Sequence, residues 1–531
     1  MTPRTGDGKA PVWEKMVVRF EVLSPVHIGT QQGELSTLEF LGFKGSVFIV
    51  DEQKLAALLV AKGAVDTFVA EVRDKRFVNL YQFISNNRLG DPAAVGKRIC
   101  SCQVPCANAE KLRRFRPMIR DGLGRVFLPG TAVKGVLRTA VLFSLLSLGE
   151  QERMRYARFF HQKVASLNRQ PPSRRQREKT FFSSKMQEKL LSSFSLPRAR
   201  QPQNRDLLRC LKVSDAYPVD GKAATRVINI KFLSKDNRHF YWSKQKRHGE
   251  NTKWDLELWL EAVVSGTFEA ELAWNRQLFE QFVKGNASLA RPGFPVKSLK
   301  DVLQAAVKFS SIIVQHEKGF FADGDGHETA GSLGSWYTDA GKIAMLRIGF
   351  GSGMLSTTVN LAWPEDLRKE IRNVCGHPRG EDPAPKSRRV WRQPNSGWRP
   401  MGWTRLMLVE GGKSEVLRKE SMVRVVDGRD PGSAGKSLPM QDSKPRKPKL
   451  PSTTEKVPPV VEKWQDVHLR WNPGKQEITA SASGQKAFCR GKGLVPQALA
   501  KKLLTKKKKA KASTIKVEKL GNAWKIIEIT P

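Results

Sequence analysis

One segment narrows the choice of fold more than any other: Phe127-Leu128-Pro129-Gly130-Thr131-Ala132-Val133-Lys134-Gly135-Val136-Leu137-Arg138-Thr139-Ala140. A short apolar strand runs into Pro129-Gly130, a turn pair, and a helix follows at once. Val133, Val136, Leu137, Ala140 and Val141 recur at helical spacing, which gives that helix one apolar face. Thr131 is placed to cap it, and the helix is expected to run to about Leu148. Strand, tight turn and amphipathic helix in direct succession ask for helix and sheet in one architecture, an α+β class.

The same segment has an electrostatic side. Lys134 and Arg138 stand four apart and share a helix face. An anion at the helix start would meet free backbone N–H groups, the helix dipole and two cations. The plainer reading is a capped helix with two solvated charges. A second glycine-rich segment, Gly349-Phe350-Gly351-Ser352-Gly353, follows the apolar strand Ile343 to Ile348. Glycines there let a backbone pass close to a phosphate chain or a base. The loop lacks the spacing and the Lys-Ser/Thr ending of a nucleotide-binding loop, so ATP binding is not supported. A tight structural turn fits it equally.

Charge sets the class of partner. The chain has 531 residues, 92 Lys+Arg against 51 Asp+Glu, and a formal net charge of +41. Such a surplus repels itself unless a polyanion neutralises it, and nucleic acid is the commonest one. An anionic membrane is the rival, but no basic amphipathic helix with a Trp/Phe/Leu face is visible. No run approaches the ~18–20 apolar residues of a membrane span. Hydrophobic residues make up 40%, enough for real cores, which excludes a wholly disordered basic protein. Six cysteines make no disulfide framework and no signal peptide is apparent, so a cytoplasmic location is expected.

Along the chain, residues 1–14 read as a flexible tail. Met16, Val17, Val18, Phe20 and Val22 form a β run that stops at Ser24-Pro25. Leu38 to Leu41 and Val47 to Val50 suggest a hairpin, and Asp51 a helix cap. Residues 254–272 alternate like strands, and a helix is expected over 298–316. Between Arg153 and Arg209 there are 15 Lys+Arg and 3 Asp+Glu, with a basic loop at Gln170 to Arg177. Residues 427–462 read as a disordered linker. Val467 to Trp471 and Glu477 to Ala480 flank Asn472-Pro473-Gly474-Lys475, a hairpin that opens a small basic β-rich appendage.

Ser24-Pro25-Val26-His27-Ile28-Gly29, the Pro-Gly-x-x-x-Lys-Gly-x-x-Arg core at Pro129 to Arg138, and Arg347-Ile348-Gly349-Phe350-Gly351-Ser352-Gly353 occur in that order. In this the chain resembles the RAMP superfamily, which supplies subunits of type III CRISPR effectors. It is most similar to the subunit of the Csm (type III-A) complex that caps the 3′ end of the guide RNA. The resemblance spans about residues 15–362. It implies two ferredoxin-like (RRM-like) RAMP domains with insertions, placed at 15–210 and 211–376. A mostly linker stretch at 377–462 and the basic β-rich domain at 463–531 follow. It also implies that glycine loops and basic faces hold RNA through its backbone, which carries no sequence information. The candidate RNA contacts are His27, Gly130, Thr131, Lys134, Arg138, Arg347, Gly349, Gly351, Ser352 and Gly353. The partners implied are CRISPR guide RNA and neighbouring RAMP subunits of the filament, with target RNA as a further candidate; no cofactor is expected.

Two departures stand out: the long basic tail, and Cys100, Cys102 and Cys106 before the Pro-Gly motif. Three thiolates so close suggest zinc, with Cys375 or His377 as a fourth ligand, against free thiols in an insertion. A non-catalytic subunit is expected, because no aspartate occurs between His27 and Phe40 where a related subunit carries its cleaving aspartate. The alternative is a RAMP endoribonuclease with His27 as acid or base.

Overall fold

The computed structural model describes residues 11–31, 33–74, 78–91, 99–147, 149–171, 181–197, 199, 201–246, 253–322, 326–375, 382–410, 413–416, 461–472, 477–482, 485–490, 495–496, 499, 509–520 and 523–530. The basic loop at 172–177, most of the tail and linker, and the turn at 473–476 lie outside them. The chain divides into two units, 1–430 and 431–531.

In the first unit the strand Trp13–Val22 alternates, with Val18, Phe20 and Val22 buried. It pairs antiparallel on both edges. Phe20 stands opposite Phe268 of the strand Glu257–Asn275, and opposite Leu406 of Trp403–Glu410. Ten strands join in this sheet. Its main order is Met345–Arg347, Trp403–Glu410, Trp13–Val22, Glu257–Asn275, Tyr217–Asp236, Ser387–Gln393, Gly397–Pro400. The boundary expected at residue 210 therefore does not separate two sheets. The linker expectation is corrected at 387–410, which supplies three of the strands. Its Pro, Gly and Arg content masks Val390, Trp391, Met401, Trp403 and Leu406, all of which are buried.

The helix Gly130–Leu146 buries Val133, Leu137, Ala140 and Val141, the apolar face read from spacing. It packs beside Leu299–Ala322, with the Phe143 and Phe309 rings 4.9 Å apart. A separate three-stranded sheet joins Phe40–Phe43, Ser46–Val50 and Cys100–Pro105. Asp51 caps the following helix by accepting from the N–H groups of Gln53 and Lys54. The second unit is a closed five-stranded barrel with its own core, including Trp464, Val467, Ile478, Ile515 and Ile526.

A buried ion pair fastens strand Ser387–Gln393 to the long helix. Arg388 Nε donates to Glu317 Oε2 at 2.7 Å, and the guanidinium lies 3.8 Å over the Phe320 ring. Burial opposes ionisation of Glu317, but Arg388 and Arg347 outweigh it and hold the carboxyl below its ordinary range. Glu317→Ala should cost about 3–5 kcal/mol, because it strands a buried guanidinium. Denaturant titration reads this, and Glu317→Leu combined with Arg388→Met should recover much of the loss.

Candidate nucleic-acid interface

The helix start does not present a free anion site. Gly130 N–H donates to Asp215 Oδ1 at 2.7 Å, so a carboxylate of the chain itself sits there. A Cβ at Gly130 would lie 2.4 Å from Val213 O and 2.7 Å from Ser214 O, which is why glycine occupies the position. Pro129 is the N-cap residue and Thr131 is exposed, which corrects the capping role expected of Thr131. Lys134 Nζ donates to Leu211 O at 2.6 Å, and burial lowers its pKa. Arg138 pairs with Asp206 and donates through Nε to Gln187 at 3.0 Å. Both charges tie the helix to its protein neighbours, and Arg138 still keeps part of its side chain open to solvent.

The glycine loop is braced from inside. Arg347 is buried and donates to Met401 O at 3.0 Å, Ser356 Oγ at 3.3 Å and Gly351 O at 3.4 Å. Ser352 is also buried, its hydroxyl donating to Gly349 O at 2.7 Å. Gly349, Gly351 and Gly353 take φ of 84°, 84° and 78°. A Cβ at Gly349 would lie 2.4 Å from His27 O, and one at Gly351 2.7 Å from Met401 Cβ. At Gly353 a Cβ would meet nothing within 4 Å. Gly349 and Gly351 are thus close approaches between parts of the chain, and Gly353 answers to backbone conformation alone.

His27 belongs to the same assembly. It is buried, its Nδ1 is 2.6 Å from Glu261 O, and Phe350 N–H donates to its carbonyl at 2.7 Å. Burial, with a smaller push from Arg116, lowers its pKa to about 4. A ring so enclosed is a packing element with little basicity near neutral pH, which counts against the acid–base alternative.

Phe350 of the loop is half-buried and packs against the apolar cluster of Ile228, Ile230 and Leu260. Arg116 lies 5.6 Å from its ring centroid and Arg389 5.1 Å. Arg116 follows buried Phe115 on an alternating stretch and is balanced by Glu34 at 3.3 Å. Arg389 stands opposite Phe232 on the sheet, next to buried Val390, and its Nε is buried with no hydrogen-bond partner. Burial, Arg116 and Arg347 all lower its pKa, so the guanidinium sits where positive charge is under-compensated. Two guanidiniums on one half-buried ring suit a phosphate beside a stacked base.

The cysteines pack instead of converging. Cys100 is pushed up to about 12 by burial and by Cys102, and burial raises Cys102 and Cys106 as well. Cys102 and Cys106 join the apolar cluster of Val47 and Val104, whereas Cys375 packs with Val164 and Leu167. Among the described residues no cluster of three or more His, Cys, Asp or Glu is arranged to hold a metal, and His377 lies outside them. The geometry among the described residues therefore lends the zinc alternative no support, and packing in the insertion accounts for the thiols.

The profile of the RAMP superfamily matches residues 19–352, more than half of the chain. The chain belongs to that superfamily. The RAMP match holds the His27 loop, the Pro129 to Arg138 segment and the glycine loop as far as Ser352. A relative from Methanocaldococcus jannaschii, described as CRISPR system Cms protein Csm5, is 22% identical over 424 residues, covering 74% of this chain and 89% of the relative. Two solved structures are similar as well. One is a chain of a Csm-crRNA-target RNA ternary complex from a type III-A CRISPR-Cas system, at 20% identity and TM-score 0.49, covering 74% of this chain and all of that one. The other is T. onnurineus Csm5, at 15% identity and TM-score 0.42, covering 73% and 99%. Motif reasoning missed Arg116 and Arg389 because neither lies in a glycine motif; the arginine-rich run Arg113 to Arg125 was the available signal.

Two measurements check this geometry. The neutral form of His27 is favoured in the fold, so its contribution is full above pH 6.5 and lost as pH falls toward 4, by about 3 kcal/mol. Stability against pH should show this slope, and His27→Gln should flatten it. Gly351→Val should lower the melting temperature well beyond Gly353→Ala. Both carry φ strain of about 1–3 kcal/mol, but only Gly351 adds a collision.

Proposed function

We propose that this RAMP protein is a non-catalytic, RNA-binding subunit of a type III-A CRISPR effector ribonucleoprotein in the cytoplasm. It holds the 3′ region of the guide RNA, caps the row of RAMP subunits and is needed for guide maturation and antiviral defence. Neighbouring RAMP subunits and, in the assembled complex, target RNA are its further partners. The two ferredoxin-like units implied by the resemblance are then halves built around one shared sheet. The family membership and the Csm5 relative support this reading. The observation that carries it is the Arg116–Phe350–Arg389 cluster with its unmet guanidinium donor. Such a site grips phosphate and stacks any base, as a holder of varied guides requires. The buried, weakly basic His27 argues against the endoribonuclease reading.

Arg116→Ala with Arg389→Ala should weaken guide RNA binding about tenfold or more, since a charged hydrogen bond is worth roughly 1.5–3 kcal/mol. Log affinity should also fall with log salt less steeply in the double variant. Unchanged affinity in a folded double variant would sink the proposal. Precursor RNA should remain uncut by the purified protein; cleavage abolished by His27→Gln would restore the enzyme reading.

A further inference from the structure

The second unit lies beyond the family match at residues 19–352. Its strands Val461–Asn472, Glu477–Ala482, Gln485–Arg490, Lys509–Leu520 and Ala523–Thr530 are first to fifth in sequence. Around the barrel they run first, second, third, fifth, fourth and back to the first. The third and fifth are parallel, with Ala487 opposite Trp524, and the other pairs are antiparallel. This 1-2-3-5-4 circuit is the plan of an OB barrel, a fold whose second and third strands form a face that binds oligonucleotides.

That face is built here from alternation. Leu469, Ile478, Ala480, Ala487 and Cys489 fill the interior. Arg470, Thr479 and Phe488 stand opposite one another in a row across the first three strands, and His468 and Ser481 pair in the next row. Arg470, His468, Ser481 and Phe488 are exposed. Phe488 leaves 38% of its surface open, the one large exposed hydrophobic of this unit among the described residues. An aromatic ring on the outer wall of a well-filled barrel adds nothing to its core. Residues 461–531 carry 16 Lys+Arg against 5 Asp+Glu, so the ring stands in a strongly positive unit.

We propose that the outer face of the first three barrel strands is a second nucleic-acid site, taking single-stranded RNA. One base stacks on Phe488, and Arg470 meets a neighbouring phosphate. Topology, exposed ring and charge are independent of the Phe350 site; the choice of RNA over DNA rests on the function proposed above. Double-stranded RNA hides its base faces, so the platform discriminates against it.

The test uses the full chain, photo-crosslinked to single-stranded RNA carrying 4-thiouridine, with the crosslinked peptides mapped by mass spectrometry. Single-stranded DNA and double-stranded RNA of the same sequence run beside it as competitors. Crosslinks should fall within 485–490, drop in Phe488→Ala and recover in Phe488→Trp, at unchanged melting temperature. Removing one base stack should weaken barrel crosslinking roughly fivefold or more. Crosslinks at 485–490 should persist in the Arg116→Ala, Arg389→Ala variant. If they persist while Phe350 never crosslinks, the function proposed above falls and the barrel site stands. No crosslink on the barrel, full crosslinking in Phe488→Ala, or equal competition by DNA or duplex RNA would overturn the proposal.

Discussion

Strand Trp13–Val22 is hydrogen-bonded along both edges, to Glu257–Asn275 on one side and Trp403–Glu410 on the other. The end of that strand governs the loops beyond it. Leu23 and Ser24 both donate to Trp403 O, Gly402 donates to Pro25 O, and Ile348 donates to Gly402 O. Ser24 Oγ accepts from Trp403 N–H at 2.9 Å. Three segments far apart in sequence are thus laced within a few residues of one another. The His27 loop and the glycine loop inherit their positions from this lacing, and Phe350 with them. Buried Arg347, over the Trp403 ring at 5.2 Å, supplies side-chain bracing where backbone partners run out.

A surplus of +41 makes the use of each acid informative. Asp215 meets the amide of Gly130, Asp206 meets Arg138, and Glu317 meets Arg388. These carboxylates neutralise cations or dipoles that the fold itself buries. The Nε of Arg389 is buried without a hydrogen-bond partner, but so are those of Arg120 and Arg405, which pair with Glu261 and Glu21 through their other nitrogens. Basic residues consumed by the fold thus look like all the others in sequence.

The helix at Gly130–Leu146 and the Asp51 cap were legible because each rests on local spacing or capping chemistry. The glycine loop was legible as a turn needing glycine, but what crowds Gly349 and Gly351 was not. His27 O and Met401 come from 322 and 50 residues away, and no local pattern encodes such pairings. For the same reason Lys134 and Arg138 looked solvated: their partners Leu211 and Asp206 lie about 70 residues on. The strands within 387–410 were hidden by composition, since Pro, Gly and Arg there outweigh a few buried aromatics in any window average. The barrel hairpin could be read from Asn-Pro-Gly-Lys, whereas its closure depends on the parallel pairing of Phe488 with Lys525.

The doubly paired first strand also sets a clock on biosynthesis. Its apolar residues leave the ribosome long before the strand that completes its second edge, which begins only at Trp403. At about 5–20 residues per second, roughly 390 residues of waiting amount to about 20–80 s. Throughout that interval Val18, Phe20 and Val22 have an open edge, the kind of surface that recruits chaperones or pairs with another nascent chain. A slow codon or a truncation ahead of residue 403 would prolong that exposure, so the yield of folded protein is tied to completing translation more than to the stability of any one element.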